Sequence, residues 1–392
     1  MSVDSPHPEG WTPFDAAAPP DAPLSPMPPL AGPPPPPPHR VLNRGAVVCG
    51  VLALLMIGAD LGVSGFLTGA VLAVLPVPLY VALALWLDRF EPEPAHTLAQ
   101  TFAWGATVAV FLALILNAMG DSVGQSLFGA EGAAVFTSVF SAPIVEEVAK
   151  GLALLFLFRE LKDEFDGVVD GVVYAAMVGL GFAMIENVQY YGAAFNEGVE
   201  SSVVTFVVRG MMAPFAHPLF TSMFGIGLGY AREARTPGSR LWAPAAGFSA
   251  AMVLHSLWNL SATLDGWFVG LYVLVMVPTF LGVIALIVAS LRREGRIIHE
   301  HLLSLVHEGL LAPDELDRLC RVRARLWSSW RALRRGGLAH WRARREMHRI
   351  ASELAFHRWR VRRGLTLGAD ADARREAEYL DRLRALCTGP PW

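Results

Sequence analysis

The sequence predicts an all-α membrane protein: a polytopic transmembrane helical bundle of about eight spans, followed by a helical cytoplasmic tail. Three observations predict it. Of the 392 residues, 53% are hydrophobic and only 17% are charged, too little polarity for a soluble domain. The apolar residues gather in runs of about 18 to 25, the helix length that crosses about 30 Å of hydrocarbon. Finally, Lys and Arg occupy every second loop between these runs, the asymmetry that orients membrane proteins.

In chain order, residues 1–44 form a proline-rich head containing "PPPPPP". Such a segment favours extended polyproline backbone and builds no core, so it reads as a disordered cytoplasmic tail. It has no apolar stretch of the kind a cleavable signal peptide needs. Residues 45–291 hold the apolar runs: 45–59, 70–87, 98–119, 134–158, 168–192, 202–231, 244–263 and 268–291. Arg40 and Arg44 precede the first run. Arg89 follows the second, Arg159 and Lys162 the fourth, Arg232, Arg235 and Arg240 the sixth, and Arg292, Arg293 and Arg296 the eighth. The alternate loops, "ADLGVSGFLTG", "GDSVGQSLFGAEG", "AAFNEGVESS" and "TLDG", contain neither Lys nor Arg. A multi-pass protein of the plasma membrane with both termini cytoplasmic follows from the positive-inside rule. Residues 292–392 are rich in Arg, Leu, Ala and Trp. There Pro313 and Asp314 signal a helix start. This basic tail is expected to be helical, its arginines meeting water or anionic headgroups. It contains no nucleic-acid-binding motif. Cys49, Cys320 and Cys387 match neither a disulfide framework nor a zinc knuckle.

Ionisable groups inside a span are costly and generally face the bundle interior. The fourth run carries Glu146, Glu147 and Lys150 in "SAPIVEEVAKG". The fifth carries Glu186 and Asn187 in "GFAMIENVQYY", the sixth Arg209, His217 and Thr221, and the seventh His255 and Asn259 in "LHSLWN". Glu146 and Lys150, four apart, share a helix face, and Glu147 points about 100° away. A single Glu–Lys pair is commonly an ion pair, and a single histidine commonly links helices. Four spans with such groups call for more, and their polar stripes can converge into a site that binds a metal or activates water. Asp166 and Asp170 read as helix caps. Pro214 and Pro218 bracket His217 and predict a helix break. Gly171, Ala175, Gly179 and Ala183 form a face that lets another helix come close.

"EEVAK", "GFAMIEN", the His217 segment, "HSLWN" and the loop "DRFEPEP" together resemble the PrsW-type intramembrane proteases, relatives of the CAAX prenyl proteases and bacteriocin-processing enzymes. The resemblance covers roughly residues 70–290, in the right order. It implies an intramembrane endopeptidase that hydrolyses peptide bonds of a membrane-anchored protein substrate, an anti-sigma factor in the best-known role. It further implies a glutamate-activated water with or without a metal. Carried onto this chain, Glu146 and Glu147 match the paired glutamates, with Glu146 as general base partnered by Lys150 or Glu147. Glu186, His217 and His255 are the implied ligand set for zinc. Asn259 would support the oxyanion, and in the metal-free alternative His217 joins it. Two other classes remain open. A proton-coupled transporter also uses buried Glu, His and Lys, although only one broken helix is evident. An inactive membrane scaffold would have lost Glu or His positions, and none is lost.

Overall fold

A computed structural model describes residues 40–387 apart from 88–89, 91, 163, 235, 265 and 365–367. The proline-rich head up to residue 39 lies outside the described residues. Among the described residues the chain forms helices and no strand. In order these are α1 (Arg40–Val74), α2 (Val77–Leu87), α3 (Ala95–Trp104), α4 (Val110–Phe136), α5 (Ala142–Glu160), α6 (Val168–Glu197), α7 (Val199–Thr205), α8 (Ala216–Glu233), α9 (Pro237–Thr263), α10 (Phe268–Leu271), α11 (Val277–His307), α12 (Pro313–Leu319), α13 (Val322–Arg362) and α14 (Ala369–Cys387). Widened π-helical turns join α3 to α4 and α4 to α5, and another at Phe206–Met212 follows α7.

Five helical stretches are long and apolar enough to cross a membrane: Arg44–Leu87, Ala95–Glu160, Val168–Glu197, Val199–Glu233 and Phe268–His307. The first two are 44 and 66 residues long, well beyond the 20 or so that one crossing needs. Each contains a glycine at positive φ, Gly62 (69°) and Gly129 (73°), a backbone state open to glycine because it lacks Cβ. The chain doubles back at Gly129. A Cβ on Gly120 would lie 2.2 Å from Ser141 Oγ, and one on Gly124 would lie 3.0 Å from Ala133. Thus the segments expected as loops at 59–69 and 120–132 are almost wholly helical, each turned at a single glycine. α9, which carries His255, is not among the five. Its small and polar residues, His255 and Asn259 among them, dilute its hydropathy.

α6 is the central post. In its apolar window 83% of residues are buried, against 11% in Phe268–His307, so α6 is enclosed by protein. Its small-residue face explains the close approach. A Cβ on Gly171 would meet the Gly225 carbonyl at 2.1 Å, and one on Gly179 would meet Pro218 N at 2.7 Å. α8 therefore touches α6 nearly backbone to backbone, and the second contact fixes the turn that bears His217. The expected break is present: the helix ends at Met212 and restarts at Ala216. Pro214 lies in the gap. Pro218 sits in the first turn of α8, where a missing N–H costs little.

α11 runs without interruption through residue 292 into the tail. Ile298, Leu302, Leu319, Ile350, Leu354 and Leu383 share one buried cluster with Phe90 of the α2–α3 connection, Val172 of α6 and Leu219 of α8. The tail docks on the arginine-bearing end of the bundle. There Arg232 donates to the carbonyls of Phe158 and Phe165, and Arg363 to that of Glu233 at 3.0 Å. Asp170 caps α6 as expected, accepting from the N–H groups of Asp166 (3.0 Å) and Gly167 (2.7 Å). Asp166 has a different role: its carboxylate pairs with Arg360 of α13 at 2.8 Å.

Candidate active site

The π-helical turn Thr137–Ser141 leads into α5, and Pro143 stands in the first turn of that helix. One turn further on, Glu146, Glu147 and Lys150 are all buried, Lys150 completely. Spacing alone pairs Lys150 with Glu146 as readily as with Glu147, since positions three and four apart are both neighbours. The structure decides otherwise than the i,i+4 expectation. The ammonium lies 2.7 Å from Glu147 Oε1 and 3.7 Å from Glu146 Oε2. Two contacts outside α5 hold it there: His217 Nδ1 at 3.1 Å and the Phe182 ring, with its centroid 4.3 Å away. An ammonium over a ring face is attracted by the ring quadrupole.

The two glutamates consequently differ. Glu147 is saturated. Besides Lys150 it accepts from Thr221 Oγ1 at 2.9 Å and from His255 Nδ1 at 3.0 Å. Glu146 has one weak contact, Asn117 Nδ2 to Oε1 at 3.4 Å. Its Oε2 is buried without a hydrogen-bond partner and faces His255 Nε2 at 3.7 Å.

Each histidine is held by a carboxylate on one nitrogen. A carboxylate only accepts, so His255 carries its proton on Nδ1 towards Glu147, leaving Nε2 as a lone pair. His217 is the converse. Nδ1 accepts from Lys150, and Nε2–H donates to Glu186 Oε2 at 2.8 Å. Glu186 is anchored in turn by an ion pair to Arg209. That guanidinium also donates to Asn187 Oδ1 at 2.7 Å and stacks on Tyr190, its carbon 3.6 Å from the ring centroid. The imidazoles sit edge to face with centroids 5.1 Å apart, and Phe220 stacks on His255.

Six of the seven residues expected from the sequence thus fall into one connected cluster: Glu146, Glu147, Lys150, Glu186, His217 and His255. The geometry groups the possible ligands differently from the expected set. Ligand atoms of Glu146, His217 and His255 lie within 4.8 Å of one another, whereas Glu186 is bound to Arg209 and to the outer nitrogen of His217. A divalent metal fits the Glu146 oxygen and His255 Nε2; at His217 the lone pair is on Nδ1, which the Lys150 ammonium occupies at 3.1 Å, so a metal there would displace that ammonium. Glu/His/His is a ligand chemistry of catalytic zinc. Glu146 Oε2 lacks a hydrogen-bond partner, and carboxylates behind both imidazoles are the usual support for metal-binding histidines. Asn259, the seventh residue, donates to the Ser138 carbonyl at 2.7 Å. It ties α9 to the turn that precedes Glu146. Asn117 is not among the residues expected from the sequence; its signal is that it is the one polar side chain between Val108 and Met119.

Residues 93–283, which include all seven positions, match the family model described as PrsW family intramembrane metalloprotease. The protein called Protease PrsW in Geobacillus kaustophilus (strain HTA426) is 30% identical over 196 residues, covering 48% of this chain and 78% of that one. The chain belongs to the PrsW family of intramembrane proteases. Protease PrsW of Bacillus subtilis (strain 168) is 30% identical over 148 residues, 37% of this chain and 60% of the relative. Protease PrsW of Clostridioides difficile (strain 630) is 29% identical over 154 residues, 39% of this chain and 62% of the relative. No solved structure matches the chain. The PrsW match covers the helices that build the cluster and leaves out the head and the arginine-rich tail.

Proposed function

We propose that this protein is an intramembrane endopeptidase of the plasma membrane, cutting a membrane-tethered protein with water activated by Glu146. A single observation carries the reading: Glu146 Oε2 is buried, without a hydrogen-bond partner, and faces the lone pair of His255. A carboxylate in that position can accept a proton from water and return it to the leaving amine. Glu147 orients His255, and Thr221 orients Glu147. Lys150 supplies positive charge beside the developing oxyanion. Glu186 and Arg209 fix His217, and Asn259 holds α9 in register. A second reading is a metalloenzyme with Glu146, His217 and His255 as ligands, supported by their proximity and by the family description. Zinc bound there would acidify water and polarise the scissile carbonyl. In that reading Glu147 and Glu186 keep their roles behind the histidines.

The helical arms on either side of Gly62 and Gly129, with α6, the two-part helix through α7 and α8, α9 and the helix through α10 and α11, supply eight crossings in our reading. Both termini are cytoplasmic. Helix bounds place Glu146, Glu186, His217 and His255 about 21 to 27 Å from the arginine-bearing ends of α5, α6, α8 and α9, at about 1.5 Å per residue. The four groups share one level, displaced towards the extracytoplasmic side. A substrate cut there has its scissile bond in the outer half of its own span, as suits an anti-sigma factor released in response to events outside the cell.

The test compares membrane proteomes of cells carrying the native protein, none, or Glu146→Gln. A tethered protein shortened only by the native form, its new terminus in the outer half of its span, is the expected result. The same shortening by Glu146→Gln would remove the role assigned to that residue, and a cut on the cytoplasmic side would contradict the orientation.

A further inference from the structure

Outside the membrane cluster, a wide cleft at the tail face lies between α2 and α13. It is a groove of about 990 Å³. One wall is the last turn of a membrane helix, with Leu85 and Trp86 partly exposed. The other wall is α13, which contributes Trp330, Trp341, Arg342 and Arg345. α13 holds twelve arginines and two glutamates in 41 residues. Most of its arginines on the core side are matched: Arg344 to Glu315, Arg349 to Glu346 and Glu353, Arg358 to Glu376, and Arg360 to Asp166. Arg342 and Arg345 have no carboxylate partner among the described residues. Arg345 stacks on Trp341, 4.8 Å from the ring centroid. Among the described residues, the one carboxylate lining the groove, Glu346, is itself paired with Arg349 at 2.5 Å.

α13 also turns sharply at Gly336 and Gly337, the latter at φ 68°. The corner carries Trp327, Trp330 and Leu338, which are 65%, 52% and 62% exposed. Exposed tryptophans among arginines are the composition of helices that lie in a membrane interface. Here they stand beside the end of a helix that already lies in the membrane. The positive field extends inward. His348, on the groove wall, is held well below the usual histidine range by burial and by Arg325, Arg344 and Arg345.

We propose that this groove binds one anionic phospholipid of the leaflet on the tail side. Arg342 and Arg345 hold the headgroup phosphate, and Trp86 and Leu85 receive the acyl chains. Charge complementarity selects an anion. The membrane-facing wall selects a lipid over a free phosphate or a nucleic acid, because Leu85 and Trp86 offer an apolar surface continuous with the bilayer. The site lies outside the matched protease region, and it would secure the tail to the membrane surface.

The test uses the full chain purified in neutral detergent, mixed with phosphatidylglycerol or phosphatidylcholine and followed by native mass spectrometry. About one phosphatidylglycerol should remain bound where phosphatidylcholine is lost, because arginines at the membrane surface favour an anionic lipid. The pair Arg342→Gln and Arg345→Gln should weaken retention about tenfold or more, and Arg342→Lys with Arg345→Lys should restore most of it. Unchanged circular dichroism keeps a folding failure from imitating the loss. Equal retention of both lipids, retention indifferent to the glutamine pair, or displacement of the lipid by a short RNA would each overturn the proposal.

Discussion

The membrane cluster and the tail both concentrate charge, and they do so under opposite rules. Between α5, α6, α8 and α9, every ionisable group is linked to another, as an unpaired charge in a dry interior is expensive. One carboxylate oxygen, Glu146 Oε2, makes no hydrogen bond and meets the Lys150 ammonium only at 3.7 Å. On the outward face of α13 arginines stand at a wet surface, where single pairs contribute little and an unmatched arginine is ordinary. The contrast teaches where an exception is informative. A carboxylate oxygen left without a hydrogen bond in the cluster is the feature on which the proposed role of Glu146 rests. Unmatched arginines in the tail acquire meaning only beside a membrane helix and a row of exposed tryptophans.

The sharpest way to break the comparison is to neutralise each glutamate in turn. Glu146→Gln should lower turnover by about 10²- to 10⁴-fold, the usual contribution of a general base. Its thermal midpoint should barely move, since the oxygen it alters makes no hydrogen bond. Glu147→Gln should do the reverse in kind. It leaves Lys150 and His255 without their carboxylate and should cost about 3 to 5 kcal/mol of stability, read as a lower midpoint in detergent. Equal midpoints for the two variants would mean that the asymmetry between them is not energetic.

Metal content sharpens the same contrast. On the metalloenzyme reading, purified protein carries about one equivalent of zinc, and His255→Ala loses it along with activity. Full activity in protein shown to be metal-free would leave Lys150 as the cation of the site. A smaller effect is expected from packing. Gly179→Val places a Cβ against the backbone of His217 and Pro218 and should cost about 1 to 3 kcal/mol. Turnover should fall with it, because the turn bearing His217 must shift. Gly238→Ala, with nothing within 4 Å of the added carbon, should stay within about 0.5 kcal/mol. A neutral Gly179→Val would show that α6 and α8 are not locked there.

How much of this was legible follows from the same physics. In the apolar runs each ionisable residue stands out against its neighbours, so Glu146, Glu147, Lys150, Glu186, His217 and His255 could be picked from composition and spacing. Their partners could not. The choice of Glu147 over Glu146 by Lys150 depends on His217 and Phe182, which come from other helices. Helical phase says nothing about them. For the same reason Glu186 was grouped with the histidines as a ligand, although Arg209 claims it. Gly62 and Gly129 hid in segments read as loops, because one positive-φ residue leaves no compositional mark. In the tail the charge pattern is too dense to single out any arginine, and only the fold separates Arg342 and Arg345 from those that meet carboxylates.

The smallest expected effect concerns the tail and depends on pH. His348 is buried on α13, within 3.3 Å of Ser328 Oγ, and its pKa is lowered well below 6.5 by burial and by Arg325, Arg344 and Arg345. The folded tail therefore keeps this imidazole neutral, whereas the unfolded tail protonates it near 6.5. Below that value the unfolded state binds the extra proton, so stability is full above about pH 7 and declines as pH falls towards 5. The limiting slope for one proton is about 1.4 kcal/mol per pH unit. His348→Gln removes the titration and keeps a partner for Ser328. Limited proteolysis at the Gly336–Gly337 corner, run on the full chain at pH 7.5, 6.5 and 5.5, measures the difference. The native tail should become more susceptible across that range and the variant should change less. Parallel profiles would mean that the arginine field around His348 is screened by water after all.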